Sequence, residues 1–214
     1  MLSMRPVCVS LALLMGWCAA FAGLPEDSTA GVEPAPSWEG GGYLYYYALP
    51  ADDDFPLVIA AADRGALHIE ARYNYEDLKT GSLFAGWNLS GGESLEYRVT
   101  PMAGLAFGQT NGLVPALELS LATGAFDLYV ESEYLLDFEG SAGNFFYTWS
   151  ELAVTLGPVR TGLAAQRTRI FQTPLELNRG LFAQLTQGPA TFSIYAFNIA
   201  TESDFLIFGL ALEF

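Results

Sequence analysis

From residue 43 onward, apolar and polar side chains alternate in short runs separated by turn residues. A period of two sends successive side chains to opposite faces of an extended chain, so the pattern predicts strands rather than helices. Twelve runs stand out, at about 43–49, 55–62, 66–76, 81–89, 94–108, 112–122, 125–138, 144–156, 159–170, 179–186, 190–199 and 204–214. In 66–76, Leu67, Ile69, Ala71, Tyr73 and Tyr75 oppose His68, Glu70, Arg72, Asn74 and Glu76. In 94–108, Leu95, Tyr97, Val99, Ala103, Leu105 and Phe107 oppose Ser94, Glu96, Arg98 and Thr100. Leu117, Leu119 and Leu121 oppose Glu118 and Ser120, and Phe126, Leu128, Val130, Tyr134, Leu136 and Phe138 oppose Asp127, Glu131, Glu133 and Asp137. In the last run Leu206, Phe208, Leu210, Leu212 and Phe214 oppose Ile207, Gly209, Ala211 and Glu213.

The connections add a second regularity. Asp63-Arg64-Gly65, Ser90-Gly91-Gly92, Thr123-Gly124, Gly157-Pro158 and Gln187-Gly188-Pro189 are tight turns, and each follows an even-numbered run. In a meander of antiparallel strands they all fall at one end. The connections at the other end are somewhat longer, with 171–178 the longest. Outer-membrane barrels keep short turns on the periplasmic side. The aromatics also sort by height: Trp87, Tyr97, Phe126 and Phe214 sit near the short-turn ends, and Tyr75, Phe107 and Phe138 near the opposite ends. Two such bands at the ends of apolar faces are what anchoring at two membrane interfaces requires.

Composition agrees. Apolar residues make up 51% of 214 and charged residues 15%, yet no apolar stretch after residue 22 is long enough for a spanning helix. A closed barrel is the other structure that satisfies its backbone in lipid. Residues 1–22 carry Arg5, an apolar run from Val7 to Ala20 and the small-x-small sequence Ala20-Phe21-Ala22, the features of a cleaved secretory signal. Both cysteines, Cys8 and Cys18, lie inside it, so the mature chain has no disulfide. Residues 23–42, rich in Pro, Gly and acid, read as a flexible periplasmic leader ending in the hinge Gly40-Gly41-Gly42. Loss of Arg5 leaves 8 basic against 24 acidic residues and moves the net charge from −15 to −16. Phosphate repulsion therefore excludes nucleic acid as a partner.

The expected fold is all-β: a closed antiparallel transmembrane β-barrel of about twelve strands over 43–214. The terminal run, with Gly209, Leu212 and a final Phe214, resembles the C-terminal assembly signal of bacterial outer-membrane barrels. Ala71-Arg-Tyr-Asn-Tyr-Glu-Asp77, the stretch from Gly143 to Leu152 and Ala165-Gln-Arg-Thr168 resemble a family of uncharacterised Gram-negative outer-membrane β-barrel proteins. That resemblance implies a fold and a location, with outer-membrane lipid, lipopolysaccharide and the barrel-assembly machinery as partners. It carries over no catalytic residue.

The inward faces collect His68, Glu70, Arg72, Glu76, Glu96, Arg98, Glu118, Asp127, Glu131, Glu133, Asp137 and Glu151, with Arg160 on a run whose parity is ambiguous because Arg167 and Arg169 oppose it. Two readings follow. A water-filled lumen with excess carboxylate would pass cations or small solutes. Alternatively, Arg–Glu pairs together with Phe84, Tyr129, Tyr147, Trp149 and Phe182 would fill the interior, giving a non-conducting structural or surface-binding barrel. Twelve strands lie between the side-chain-filled and the open sizes. A lipid-modifying enzyme would need His68 with a nucleophile such as Ser82 or Ser94, and a secreted soluble β-domain would alternate in the same way. Zinc would lack a second His or a mature Cys, and no cofactor or metal is expected. Asp52-Asp53-Asp54 reads as a solvated acidic loop.

Overall fold

The computed structural model describes residues 36–50, 53–170 and 176–214. The signal segment, the leader up to residue 35, Asp52 of the acidic run, and 171–175 lie outside the described residues. The strands are β1 (Trp38–Ala48), β2 (Phe55–Arg64), β3 (Leu67–Tyr73), β4 (Thr80–Trp87, continued by Leu89–Gly91), β5 (Glu96–Gly108) and β6 (Gly112–Thr123). They continue as β7 (Phe126–Asp137), β8 (Phe145–Leu156), β9 (Val159–Ile170), β10 (Glu176–Gln187), β11 (Ala190–Phe197) and β12 (Phe205–Glu213). The two parts of β4 share one register against β5, from Thr80 opposite Gly108 to Gly91 opposite Tyr97, so they are one strand interrupted at Asn88. Among the described residues no helix is long and apolar enough to cross a membrane.

Each strand pairs antiparallel with its sequence neighbours, and β1 pairs with β12 from Gly41 opposite Glu213 to Ala48 opposite Leu206. The sheet is thus a closed twelve-stranded up-and-down barrel without an edge, the arrangement lipid demands of a spanning sheet. Closure extends to the last residue: Gly40 N–H donates to Phe214 O at 2.9 Å, and Phe214 N–H to Gly40 O at 2.8 Å. The first strand begins at Trp38 and not at Tyr43. Gly40, Gly41 and Gly42, expected as a hinge, are instead strand, because Ala62, Ala61 and Ala60 on one side and the C-terminal strand on the other take up their backbone bonds.

Four of the five turns at one end consist of two residues with glycine first: Gly65 at φ 61°, Gly124 at 59°, Gly157 at 64° and Gly188 at 62°. Ala66, Ala125, Pro158 and Pro189 follow them without positive φ. Glycine first and an ordinary or proline residue second is the type II′ pattern, whose twist matches that of paired strands. Outside, a leucine-rich belt (Leu83, Leu105, Leu117, Leu163, Leu181) is exposed at mid-height. Trp38, Trp87, Tyr97, Phe126 and Phe192 border it at the short-turn end, and Tyr46, Tyr73, Phe107 and Phe138 at the other. An apolar belt between aromatic bands is the exterior of a membrane-spanning barrel.

Candidate functional site in the barrel interior

The interior has two unlike walls. Strands β3 to β9 turn the buried charged side chains inward, together with a smaller apolar cluster of Phe84, Met102, Ala106, Val114 and Leu135. His68, Glu70, Arg72, Glu118, Asp127, Glu131, Glu133, Glu151 and Arg160 are all buried there. Strands β1, β2, β11 and β12 turn inward a second apolar set, including Tyr43, Tyr47, Leu57, Ile59, Tyr195, Phe197 and Ile207. Residues lining an open channel would keep their contact with water. Here Tyr129, Glu131, Glu151 and Tyr195 are at most 1% exposed. The two walls meet at mid-height and leave a cavity of about 40 Å³, bounded by Tyr45, Tyr75, Tyr147, Trp149 and Glu131 among others.

Arg72 ties β3 to β7 across the interior. Its Nη1 lies 2.7 Å from Glu131 Oε1 and 3.0 Å from Glu133 Oε2, and its Nε donates to Glu70. Its guanidinium stacks between the Tyr75 and Phe84 rings, 4.3 and 4.4 Å from their centroids. A planar, weakly hydrated cation suits such a sandwich better than an ammonium would. Glu70 also lies 3.3 Å from His68 Nε2, whose Nδ1 is 2.7 Å from Asp63 Oδ1. Both ring nitrogens of His68 are thereby engaged by carboxylates. Ser82 donates to Glu76 at 2.6 Å instead of to the histidine, so no nucleophile–base pair forms there.

Arg160 organises the second cluster. Its Nε and Nη2 reach Asp127 at 2.5–3.2 Å, and its Nη1 reaches Glu151 Oε2 at 2.6 Å and Gln184 Oε1 at 3.1 Å. Glu151 Oε1 accepts from Trp149 Nε1 at 2.9 Å and from the Tyr195 hydroxyl at 3.0 Å. Arg160 therefore faces inward. Arg167, seven positions on, faces outward and is exposed, which resolves the parity of the strand.

The remaining expected lumen residues lie nearer the ends. Arg98 is half-buried, 3.9 Å from Asp63, and Glu96 is exposed beside a short turn. Asp137 sits at the long-loop rim, where its Oδ1 accepts from Glu139 N–H at 2.8 Å. Glu76 is buried in the interior but belongs to a loop, not to a strand.

That loop overturns one expectation. Tyr75 is not part of the outer aromatic band. Asn74 adopts a left-handed backbone at φ 59°, and its Oδ1 accepts the Lys79 N–H at 2.7 Å. Strand β3 therefore ends at Tyr73, and the chain folds inward. Tyr75 donates to Glu131 at 2.7 Å and packs edge-on against Tyr147 at 5.6 Å. Tyr73 occupies the outer band instead. Asparagine is among the residues that tolerate this conformation, so Tyr-Asn-Tyr carried the signal in principle.

At the C-terminus Leu212 and Phe214 face outward and Gly209 faces inward. A Cβ on Gly209 would stand 2.8 Å from the Tyr45 ring and against Ser193 Oγ, so glycine there makes room for the aromatic wall. Asp63, Gln184 and the inward rings of β1 and β11 were not anticipated as parts of the interior. Among the described residues no cluster of His, Cys, Asp and Glu is suited to hold a metal.

No family model matches the chain, and no curated protein matches it in sequence. Solved structures do match. The KdgM porin aligns with TM-score 0.62 at 9% identity, covering 81% of this chain and 99% of that one. The KdgM porin in complex with disordered oligogalacturonate gives TM-score 0.63 over the same shares. OccK5 (OpdH) of Pseudomonas aeruginosa aligns at TM-score 0.44 and 7% identity over 79% of this chain and 62% of its own. At this identity the KdgM match establishes the architecture: the chain has the fold of a porin-type transmembrane β-barrel.

Proposed function

We propose that the protein is an outer-membrane pore for small solutes with a cation preference, held shut in this conformation. The observation that carries the reading is the composition of the inner wall. Among the described residues, eight buried carboxylates face three buried bases: His68, Arg72 and Arg160. An interior with more acid than base disfavours anions and favours cations or neutral solutes. The porin-type fold supports a channel rather than an enzyme and supports the bacterial outer membrane as its location. Cleavage of residues 1–22, delivery through the barrel-assembly machinery and contact with lipopolysaccharide complete this reading.

The filled interior favours a second reading, a barrel that never conducts. One assay separates the two. Purified protein in planar bilayers is compared with Trp149→Ala/Tyr195→Ala, which removes two large rings from the centre. The pore reading expects long closed periods in the wild type, and frequent openings with cation over anion selectivity in the variant. Silence of both proteins, each migrating as a folded barrel on a gel, overturns it. Anion-selective openings overturn the cation preference.

A further inference from the structure

The outer face of the barrel carries two charges on a surface that is otherwise apolar. Arg167 on β9 and Arg179 on β10 are both exposed. Arg167 shares its parity with exposed Leu163, and Arg179 with exposed Leu177, Leu181 and Leu185, so both point away from the lumen. In the register Arg167 stands opposite Leu177 and Arg179 opposite Ala165, which makes the two arginines diagonal neighbours on adjacent strands. Such neighbours are about 7–8 Å apart, within reach of long side chains. Arg167 is eight positions from Val159, where β9 leaves its short turn, and Arg179 is eight positions from Gln187, where β10 enters its own. Exposed Tyr46 and Tyr134 are likewise eight positions from Trp38 and Phe126, at the short-turn ends of β1 and β7. The arginines therefore stand at the height of the outer aromatic band, where an outward charge is tolerated as it is not at the bilayer midplane.

Nothing described in the protein neutralises this pair. Among the described residues neither guanidinium forms an ion pair, and the sequence between the two strands, 171–175, contains no acid. Arg72, Arg98 and Arg160 are turned inward, Arg64 lies at the short-turn end and Lys79 in the β3–β4 loop. The rung that holds Arg167 continues through Thr148 to Ser132, whose hydroxyls lie 3.2 Å apart on the same outer face. Adjacent like charges beside hydroxyls, facing out at the interface, suit an anion rich in acceptor oxygens. A chain with a net charge of −15 repels free anions at longer range, so the anion has to be held there by something besides charge. Acyl chains supply that hold, and Leu163 and Leu181, on the same face toward the short-turn end, offer them apolar surface. We infer that Arg167 and Arg179 bind a phosphate of an outer-leaflet lipid, the phosphorylated base of lipopolysaccharide. The planar forks of two guanidinium groups match phosphate oxygens as an ammonium does not. The inference rests on the outer-membrane part of the proposed function and is independent of conduction.

Full-length protein folded in detergent micelles, titrated with lipid A and read by native mass spectrometry, tests it. Wild type should retain a single lipid A saturably, and lipid A stripped of its phosphates should be retained far more weakly. Arg167→Gln/Arg179→Gln should weaken retention about 25-fold, roughly fivefold for each arginine. Both positions lie outside the packed interior, so the variant should still migrate as a folded barrel on a gel. Arg64→Gln, at the short-turn end, should change nothing, and inorganic phosphate should not displace the lipid. The inference is overturned if folded wild type retains no lipid A, if the phosphate-free lipid is retained as well, or if the double variant binds as wild type does. An equal loss in Arg64→Gln would overturn it too, since any exposed base would then serve. Displacement by inorganic phosphate would overturn the lipid as the source and leave a free-anion site. A folded barrel that retains no lipid A would leave the outer-membrane pore reading standing. Recovery of the protein in soluble form without detergent would remove both.

Discussion

Replacing Arg160 with methionine tests how the interior is held together. The guanidinium is the common partner of Asp127 and Glu151, with contacts of 2.5–3.2 Å to the first and 2.6 Å to the second. Arginine and both carboxylates are 1–3% exposed. Methionine keeps most of the apolar stem that lies under Phe182, whose centroid is 4.9 Å from the guanidinium carbon. What is lost is the charge, and two buried carboxylates remain with no water to turn to. Breaking a buried pair in this way costs about 3–5 kcal/mol. Removing all the charges together is far milder, so Arg160→Met/Asp127→Asn/Glu151→Gln is expected within about 1 kcal/mol of wild type. The assay is reversible urea unfolding in lipid vesicles, read by tryptophan fluorescence, with Trp149 donating directly to Glu151 as a local reporter. If Arg160→Met costs less than about 1 kcal/mol, or no less is lost in the triple variant, the cluster is not the ion-paired core described above.

Two further outcomes follow from the geometry. Gly209→Leu should push the Tyr45 ring off the wall and cost about 1–3 kcal/mol through overpacking, and adding Tyr45→Ala should restore most of it; the temperature at which the folded gel band is lost measures both. Asp54 accepts the Leu49 N–H and the Tyr46 hydroxyl, each at 2.8 Å, and these bonds, the backbone one first, hold its carboxyl below the usual range. A depressed folded value means that the contribution is complete above the ordinary carboxylate range and is lost as pH falls through the folded value. Protection of the Leu49 amide in hydrogen exchange, corrected for intrinsic rate, should therefore hold at neutral pH and fall on acidification, and an unchanged protection factor would refute the link.

Much of the fold was legible because the membrane imposes two conditions at once. Outward residues must be apolar at every second position, and turns must be tight where strands are short of chain. Leu83, Leu105, Leu117 and Leu163 met the first condition, and Gly65, Gly124, Gly157 and Gly188 the second. The polar wall was legible for the same reason, since His68, Glu70 and Arg72 alternate with Leu67, Ile69 and Ala71. The aromatic wall was not. In β1 both parities are apolar or aromatic, Tyr43, Tyr45 and Tyr47 against Leu44 and Tyr46, so periodicity marks a strand without saying which face is inside.

By itself, then, the sequence determined the strand set, the outward face of most strands, the sidedness of the turns and the acidic excess. These depend on period, turn chemistry and charge, all local properties of the chain. Tertiary structure decided whether the barrel is open. Arg72 meets Glu133 across 61 positions of sequence, and Arg160 meets Asp127 across 33. Alternation tells which side of the sheet a side chain takes, but not what stands opposite it across the lumen. That is fixed only when twelve strands close in one register, and here closure buries a largely charged wall against an aromatic one.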